Sequence, residues 1–126
     1  VLGSSDKSEF MIGYFTKHGD GASDITPIIS LYKLQVREIA KHLGIPDNII
    51  SKKSSPHLWK DHEAENELGI SYEEIDSVLY CMDEKKLSAE DTEKLTLIEK
   101  SKIQKIQELI LKSEHKRLGA QKPDIN

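Results

Sequence analysis

The chain has 126 residues and a mass of 14.3 kDa, and 37% of the residues are hydrophobic, enough for one domain with a core. Eighteen basic against twenty-two acidic residues give a net charge of -4, spread along the chain, which excludes broad non-specific binding to nucleic acid or acidic membranes. The single cysteine, Cys81, excludes an internal disulfide and a thiolate-rich metal site and suits the cytoplasm, and no apolar run approaches transmembrane length.

Val1-Leu2-Gly3 reads as the end of a buried strand running into a polar turn, which favours a fragment of a larger unit. Asp6 is placed to cap a helix that carries Phe10, Met11, Tyr14 and Phe15 at helical spacing. Lys17 to Ile28 then sets Gly19, Gly21, Asp20, Asp24 and Pro27 between apolar-rich segments. The glycines allow a tight path and close approach of another group, and the carboxylates suit a metal, an amine or hydroxyls. This is a candidate ligand turn, with an ordinary exposed turn as the alternative. A second helix is expected from about Ser30 to Leu43, with Leu31, Leu34, Val36, Ile39, Ala40 and Leu43 inward, ended by Gly44 and Pro46.

Residues 51–69 show no clean period and read as a long loop of the kind that covers a binding surface, in which Trp59 either closes over a ligand or anchors the loop. Ser71 with Glu74 forms a cap signature, Ile70 and Ile75 suit a hydrophobic staple, and the helix should run to about Met82. Ser88 opens a long helix over 88–117 whose apolar face carries Leu95, Ile98, Ile103, Ile106, Leu109 and Ile110. The apolar run at 109–111 would support a subunit contact, so a non-catalytic helical interaction module is a competing reading. Beyond Arg117 an irregular basic tail is expected.

The charged residues suggest phosphate chemistry. Glu9, Asp20 and Asp24 offer hard oxygen ligands for magnesium, while Lys33 and the His115-Lys116-Arg117 cluster would neutralise phosphate oxygens. His57 and His62 lack the third ligand that a zinc site needs. His42 fits a favourable helix-end charge and Cys81 a structural thiol.

The segments Gly3-Ser4-Ser5-Asp6-Lys7-Ser8-Glu9 and Gly13-Tyr14-Phe15-Thr16-Lys17-His18-Gly19-Asp20-Gly21 resemble G-T-G-N-K-S-E and G-Y-F-T-K-Y-G-D-G of the ammonia-dependent NAD synthetases, in the N-type ATP pyrophosphatase group. Asp24-Ile25, Pro27, Leu31-Tyr32-Lys33, Gln35-Val36, Leu43-Gly44-Ile45-Pro46, Leu58-Trp59, Glu67-Leu68-Gly69 and His115-Lys116-Arg117 follow that pattern in unbroken order. The resemblance implies the C-terminal, mainly helical portion of an α/β, adenine-nucleotide alpha-hydrolase-like (Rossmann-like) three-layer fold. It implies ATP-dependent adenylation of deamido-NAD, attack by ammonia, and release of NAD, AMP and pyrophosphate. By position it implies Asp20 and Lys33 as catalytic residues, Lys17, Asp24, His115 and Lys116 at the substrate, Ser4, Lys33 and Ser55 at ATP, and Glu9 at Mg2+. A homodimer in the cytoplasm is implied with them, and a related adenylating amide ligase is the nearest enzymatic rival.

The chain also departs from the pattern. G-N becomes Ser5-Asp6, which adds a charge, K-P-P-S-A becomes Lys52-Lys53-Ser54-Ser55-Pro56, and Q-T-D-E becomes His62-Glu63-Ala64-Glu65, which loses a carboxylate at Ala64. The S-G-G-x-D-S phosphate loop of the pattern is absent from these 126 residues, so the chain alone is expected to be inactive.

Overall fold

The computed structural model describes residues 1–119. Asp6 caps α1 (Lys7–Ile12): its carboxylate accepts the Glu9 N–H at 2.9 Å, and the Glu9 side chain turns back to the Asp6 N–H. Gly13 ends α1 in a left-handed conformation, φ 72°, so Tyr14 and Phe15 lie just beyond the helix. The expected strand end is an isolated parallel bridge between Leu2 and Ile25, and the described residues hold no longer strand.

Helix α2 (Lys33–His42) starts later than Ser30 because its first amides are tied from outside: the Lys33 N–H donates to Ser8 Oγ at 2.9 Å and the Leu34 N–H to Asp76 at 2.9 Å. Ser8 in turn donates to Asp76. Its apolar residues are not buried as expected, with Ile39 44% and Leu43 70% exposed. Among the described residues α2 packs on α1, on the helix α5 (Tyr72–Leu79) and on the short α3 (Asp47–Ile50), and these leave its outer face open.

The 51–69 stretch contains α4 (Ala64–Leu68), stopped by left-handed Gly69, and the irregular part is shorter than the sequence suggests. Ala64 and Leu68 are buried one helical turn apart, a contact pair too short for a periodic signal. Ser71 caps α5 (Tyr72–Leu79) through the Glu74 N–H, and Ile70 and Ile75 are both buried against the core, as a staple requires. A single π turn, Tyr80–Glu84, extends α5 past Met82.

The stretch 88–117 is not one helix. It forms α6 (Ala89–Thr96), α7 (Lys100–Lys112) and α8 (Glu114–Arg117). At the first break Thr96 Oγ1 donates to the Thr92 carbonyl at 2.7 Å and accepts the Ile98 N–H at 3.3 Å, so the side chain competes for the backbone. Leu97 takes φ 59° and stands 87% exposed while Ile98 turns inward. Leu95 is exposed as well, so the buried face is carried by Ile98, Ile103 and Ile106. Leu109 and Ile110 pack partly against the core, leaving Leu111 alone exposed in the apolar run at 109–111.

Tyr32, Ile75, Val78, Leu79, Ile103 and Ile106 centre the core between α1, α5 and α7, and each buried aliphatic side chain contributes about 1.5–3 kcal/mol. Cys81 is buried and unpaired with another thiol. No described helix is long and apolar enough to cross a membrane. The expected tail lies, from residue 120 onward, outside the described residues.

Candidate functional site

The turn after α1 is built by glycine. The N–H groups of Gly19 and Gly21 both donate to the Thr16 carbonyl at 3.0 Å, and the Asp20 carboxylate accepts the Thr16 N–H at 2.6 Å. A Cβ on Gly21 would stand 2.8 Å from the Phe15 ring and 3.0 Å from the Thr16 carbonyl, so no side chain fits there. The turn therefore presents Asp20 from a path that only a small residue permits.

Asp20 lines three adjoining cavities. The largest, about 570 Å³, is lined by Phe10 and Phe15 together with His18 and the cations Lys17, Lys116 and Arg117. Phe10 and Phe15 stack at 5.6 Å between centroids and 13° between planes, an apolar wall for a flat heterocycle beside cations suited to anionic groups. A second, about 280 Å³, joins Ser4, Ser5, Glu9 and Tyr14 to Ser54 and Ser55 of the loop. A third, about 200 Å³, is lined by Tyr14, Leu58, His62, Glu67 and Lys116. Residues more than forty positions apart thus converge on one carboxylate.

Beneath the second cavity lies a charge cluster. Lys33 Nζ contacts Asp6 at 2.5 Å and Glu9 at 2.6 Å, and sits 4.9 Å from the centre of the Tyr72 ring. Burial pushes the Glu9 carboxyl above its ordinary value, helped by the Asp6 charge and opposed by Lys33. Burial works against the Lys33 charge, but Glu9 and Asp6 outweigh it and hold the ammonium above its ordinary value.

The structure brings Ser4, Glu9, Lys17, Asp20, Ser55 and Lys116 to these cavities. Lys33 lines none of the three, being held by its two carboxylates. Asp24 is exposed, and His115 turns its ring to the Lys112 carbonyl at 3.1 Å; neither lines them. Lys116 also braces the fold, since its Nζ donates to the carbonyls of Gly13 at 2.8 Å and Phe15 at 2.9 Å. Arg117 likewise donates to Met11 at 2.8 Å and Ile110 at 2.6 Å, tying the carbonyl ends of α1 and α7 together.

Sequence reasoning missed His18, Tyr14, His62 and Glu67 as wall residues. The resemblance runs through Tyr14 and Glu67, but nothing in their spacing announces that Tyr14 donates to Glu67 at 2.6 Å across 53 positions. No group of three or more His, Cys, Asp or Glu that could hold a metal occurs among the described residues.

A family model described as NAD synthase matches residues 1–120. The chain belongs to the NAD synthase family. It is 48% identical over 125 residues to an NH(3)-dependent NAD(+) synthetase of Aeropyrum pernix, covering 99% of this chain and 44% of that protein. It is 52% identical over 124 residues to the one from Hyperthermus butylicus, covering 98% of this chain and 45% of that protein. Among solved structures it resembles an NMN synthetase from Francisella tularensis with a TM-score of 0.78 at 38% identity, over 99% of this chain and 47% of that one. An NH3-dependent NAD synthetase from Campylobacter jejuni, in complex with the nitrate ion, matches with a TM-score of 0.71 at 27% identity, over 98% of this chain and 44% of that one. The chain therefore spans about half the length of the NAD synthase family members it matches.

Proposed function

We propose that this chain supplies the C-terminal half of an enzyme that amidates deamido-NAD with ammonia at the expense of ATP. A carboxylate oxygen of the substrate attacks the α-phosphorus of ATP and pyrophosphate leaves. Ammonia nitrogen then attacks the acyl carbon, AMP leaves with the bonding pair, and a proton is released, giving NAD. The observation that carries the reading is the position of Asp20 where the aromatic and basic cavity meets the serine and glutamate cavity. There a single carboxylate can orient the acyl adenylate or the incoming amine.

In this reading Ser4 and Ser55 face the ATP phosphates, and Lys17 and Lys116 face the substrate. Magnesium bound with ATP typically takes only one or two protein carboxylates, and Glu9, on the wall beside Ser4 and Ser55, is the one this chain would offer it. When bound it would neutralise phosphate charge. Lys33 acts through Glu9, by holding that carboxylate in place. The contacts of Asp24 and His115 with the dinucleotide rest on the sequence resemblance and would need His115 to turn from its carbonyl partner. The Leu2–Ile25 bridge is parallel, as expected where a Rossmann-like sheet enters from the upstream half. The protein is taken as cytoplasmic and homodimeric.

The 38% identity to an NMN synthetase supports a second substrate, the corresponding carboxylate mononucleotide. Relatives near 50% identity that are NAD synthetases favour the dinucleotide. The test joins this chain to its upstream half and measures AMP and amide formation from ATP and ammonia with each nucleotide. A higher kcat/KM for the mononucleotide would reassign the substrate, and no turnover with either would refute the activity. Asp20→Asn keeps an acceptor for the Thr16 N–H and should lower kcat at least about 100-fold with folding intact. Unchanged turnover would remove Asp20 from the chemistry.

A further inference from the structure

We infer that Trp59, His62, Glu67 and Tyr14 form a clasp that seats the 54–62 loop against the segment bearing Asp20, which makes His62 a positioning residue; the inference rests on the activity proposed above. Apart from the exposed Lys53–Glu63 ion pair across its neck and Ser55 Oγ accepting the His57 N–H at 3.0 Å, the loop has little else to hold it. His57 and Asp61, neither of them glycine, take left-handed conformations with φ of 53° and 58°, which a free chain disfavours. Its backbone ties are few: Ala64 N–H donates to the Ser54 carbonyl at 2.9 Å, and His62 N–H to the Trp59 carbonyl at 3.4 Å.

The side chains supply the rest. The His62 side chain is only 2% exposed although its neighbours in the loop are open to solvent. Its ring lies against the Trp59 indole, with 3.3 Å between centroids and 14° between planes. Nε2 is 2.7 Å from Glu67, which also accepts the Tyr14 hydroxyl at 2.6 Å, and Nε2 lies 3.4 Å from that hydroxyl. Tyr14 immediately follows the Gly13 that ends α1 and walls both smaller cavities beside Asp20. The stack and the bonds therefore connect the loop's outer surface to the floor of the site in one continuous chain.

The residue type is informative. The ring is wedged tightly enough that Nδ1 is buried away from every protein acceptor and donor. Glutamine, which the resembled pattern has at this place, offers an N–H to Glu67 but no ring to lie under Trp59. Leu58 and Pro56 join His62 and Glu67 around the third cavity, so loosening the clasp withdraws the loop's part of the wall beside Asp20. Water entering there would attack the acyl carbon of the adenylate. The acyl–oxygen bond to AMP breaks, the carboxylate is regenerated with loss of a proton, and AMP forms without amide.

The test uses the protein with its upstream half present. Tryptophan emission is recorded with Trp59→Phe subtracting any other tryptophan, alongside AMP and amide formation. His62→Ala should raise Trp59 emission by removing the stacked imidazole, and raise KM for the nucleotide carboxylate about 2–12-fold, the scale of one aromatic stack. The AMP-to-amide ratio should rise severalfold above the wild-type value. His62→Phe, which restores a ring without the Glu67 bond, should recover much of that coupling. If His62→Ala does not fold, His62→Gln, which keeps the Glu67 bond but loses the stack, must still raise Trp59 emission and the AMP-to-amide ratio. Wild-type turnover together with unchanged emission, or with a one-to-one ratio and unchanged KM in the variant, overturns the clasp alone. Absence of AMP and amide from the wild-type protein overturns the underlying activity and the positioning role with it.

Discussion

The Asp6–Lys33–Glu9 cluster predicts an asymmetry between removing its cation and removing one of its anions. Lys33→Met leaves two carboxylates, 1% and 19% exposed, beside one another without a cation. Breaking a buried pair this way costs about 3–5 kcal/mol, because the stranded charges have lost their compensation. Asp6→Asn is different: asparagine caps as well as aspartate, Lys33 keeps Glu9 at 2.6 Å, and the repulsion between Asp6 and Glu9 disappears. Its cost should stay within about 1 kcal/mol.

In the protein carrying its upstream half, thermal unfolding followed by circular dichroism should fall by roughly 6–20 °C for Lys33→Met, at about 2–4 °C per kcal/mol. Asp6→Asn should shift it by no more than about 4 °C on the same scale. The pH dependence gives a second check. The folded Glu9 carboxyl titrates above its ordinary value of 4.5, so the native state binds the extra proton in the window between. Stability linked to that proton is present below the ordinary value and lost as pH rises through the raised one. Lys33→Met widens the window, so its deficit should shrink on acidification toward pH 4.5. Equal melting shifts for the two variants, or a Lys33→Met deficit that grows on acidification, would refute this account.

Gly13→Ala should destabilise by about 2 kcal/mol or more, since the residue has φ 72° and the added Cβ would overlap Ser113; denaturant midpoints measure it. Hydrogen bonding to Lys102 is the main cause that holds the Glu74 carboxyl below its ordinary value, so its stabilisation is present above pH 4.5 and lost as pH falls through the lowered value. Lys102→Met should flatten that acid limb of the stability profile and leave the slope near neutral pH unchanged.

Local rules made much of the frame legible. The caps at Asp6, Ser71 and Ser88 each have an acidic residue three positions on, and each accepts a backbone N–H where the pattern places it. The break at Leu97 was hidden because the apolar spacing of Leu95, Ile98 and Ile103 reads as one stripe. Thr96 decides the matter through its bond to Thr92, while the buried Ile98 needs a different direction from its neighbours. Helix α2 failed in the opposite sense. Its pattern is amphipathic, but the described residues cover only part of it. Periodicity reports that a face wants cover and says nothing of what supplies it.

The site was legible where chemistry is concentrated in a turn and obscure where it depends on partners far along the chain. Asp20 stands out because the glycine that follows it, Gly21, has a steric purpose that the Phe15 ring makes concrete. Lys33 and Lys116 stand out equally in the sequence as cations, yet both spend their hydrogen bonds within the fold, one on Asp6 and Glu9 and the other on the carbonyls of Gly13 and Phe15. A lysine so engaged cannot approach phosphate without vacating a buried anion or helix-end carbonyls, and each such exchange carries a desolvation cost. Positive charge reaching a bound anion from this chain therefore comes first from Lys17, on the wall of the large cavity with its bond to the His115 carbonyl at the exposed surface. That bond is exposed and replaceable by water, whereas those of Lys33 and Lys116 are part-buried.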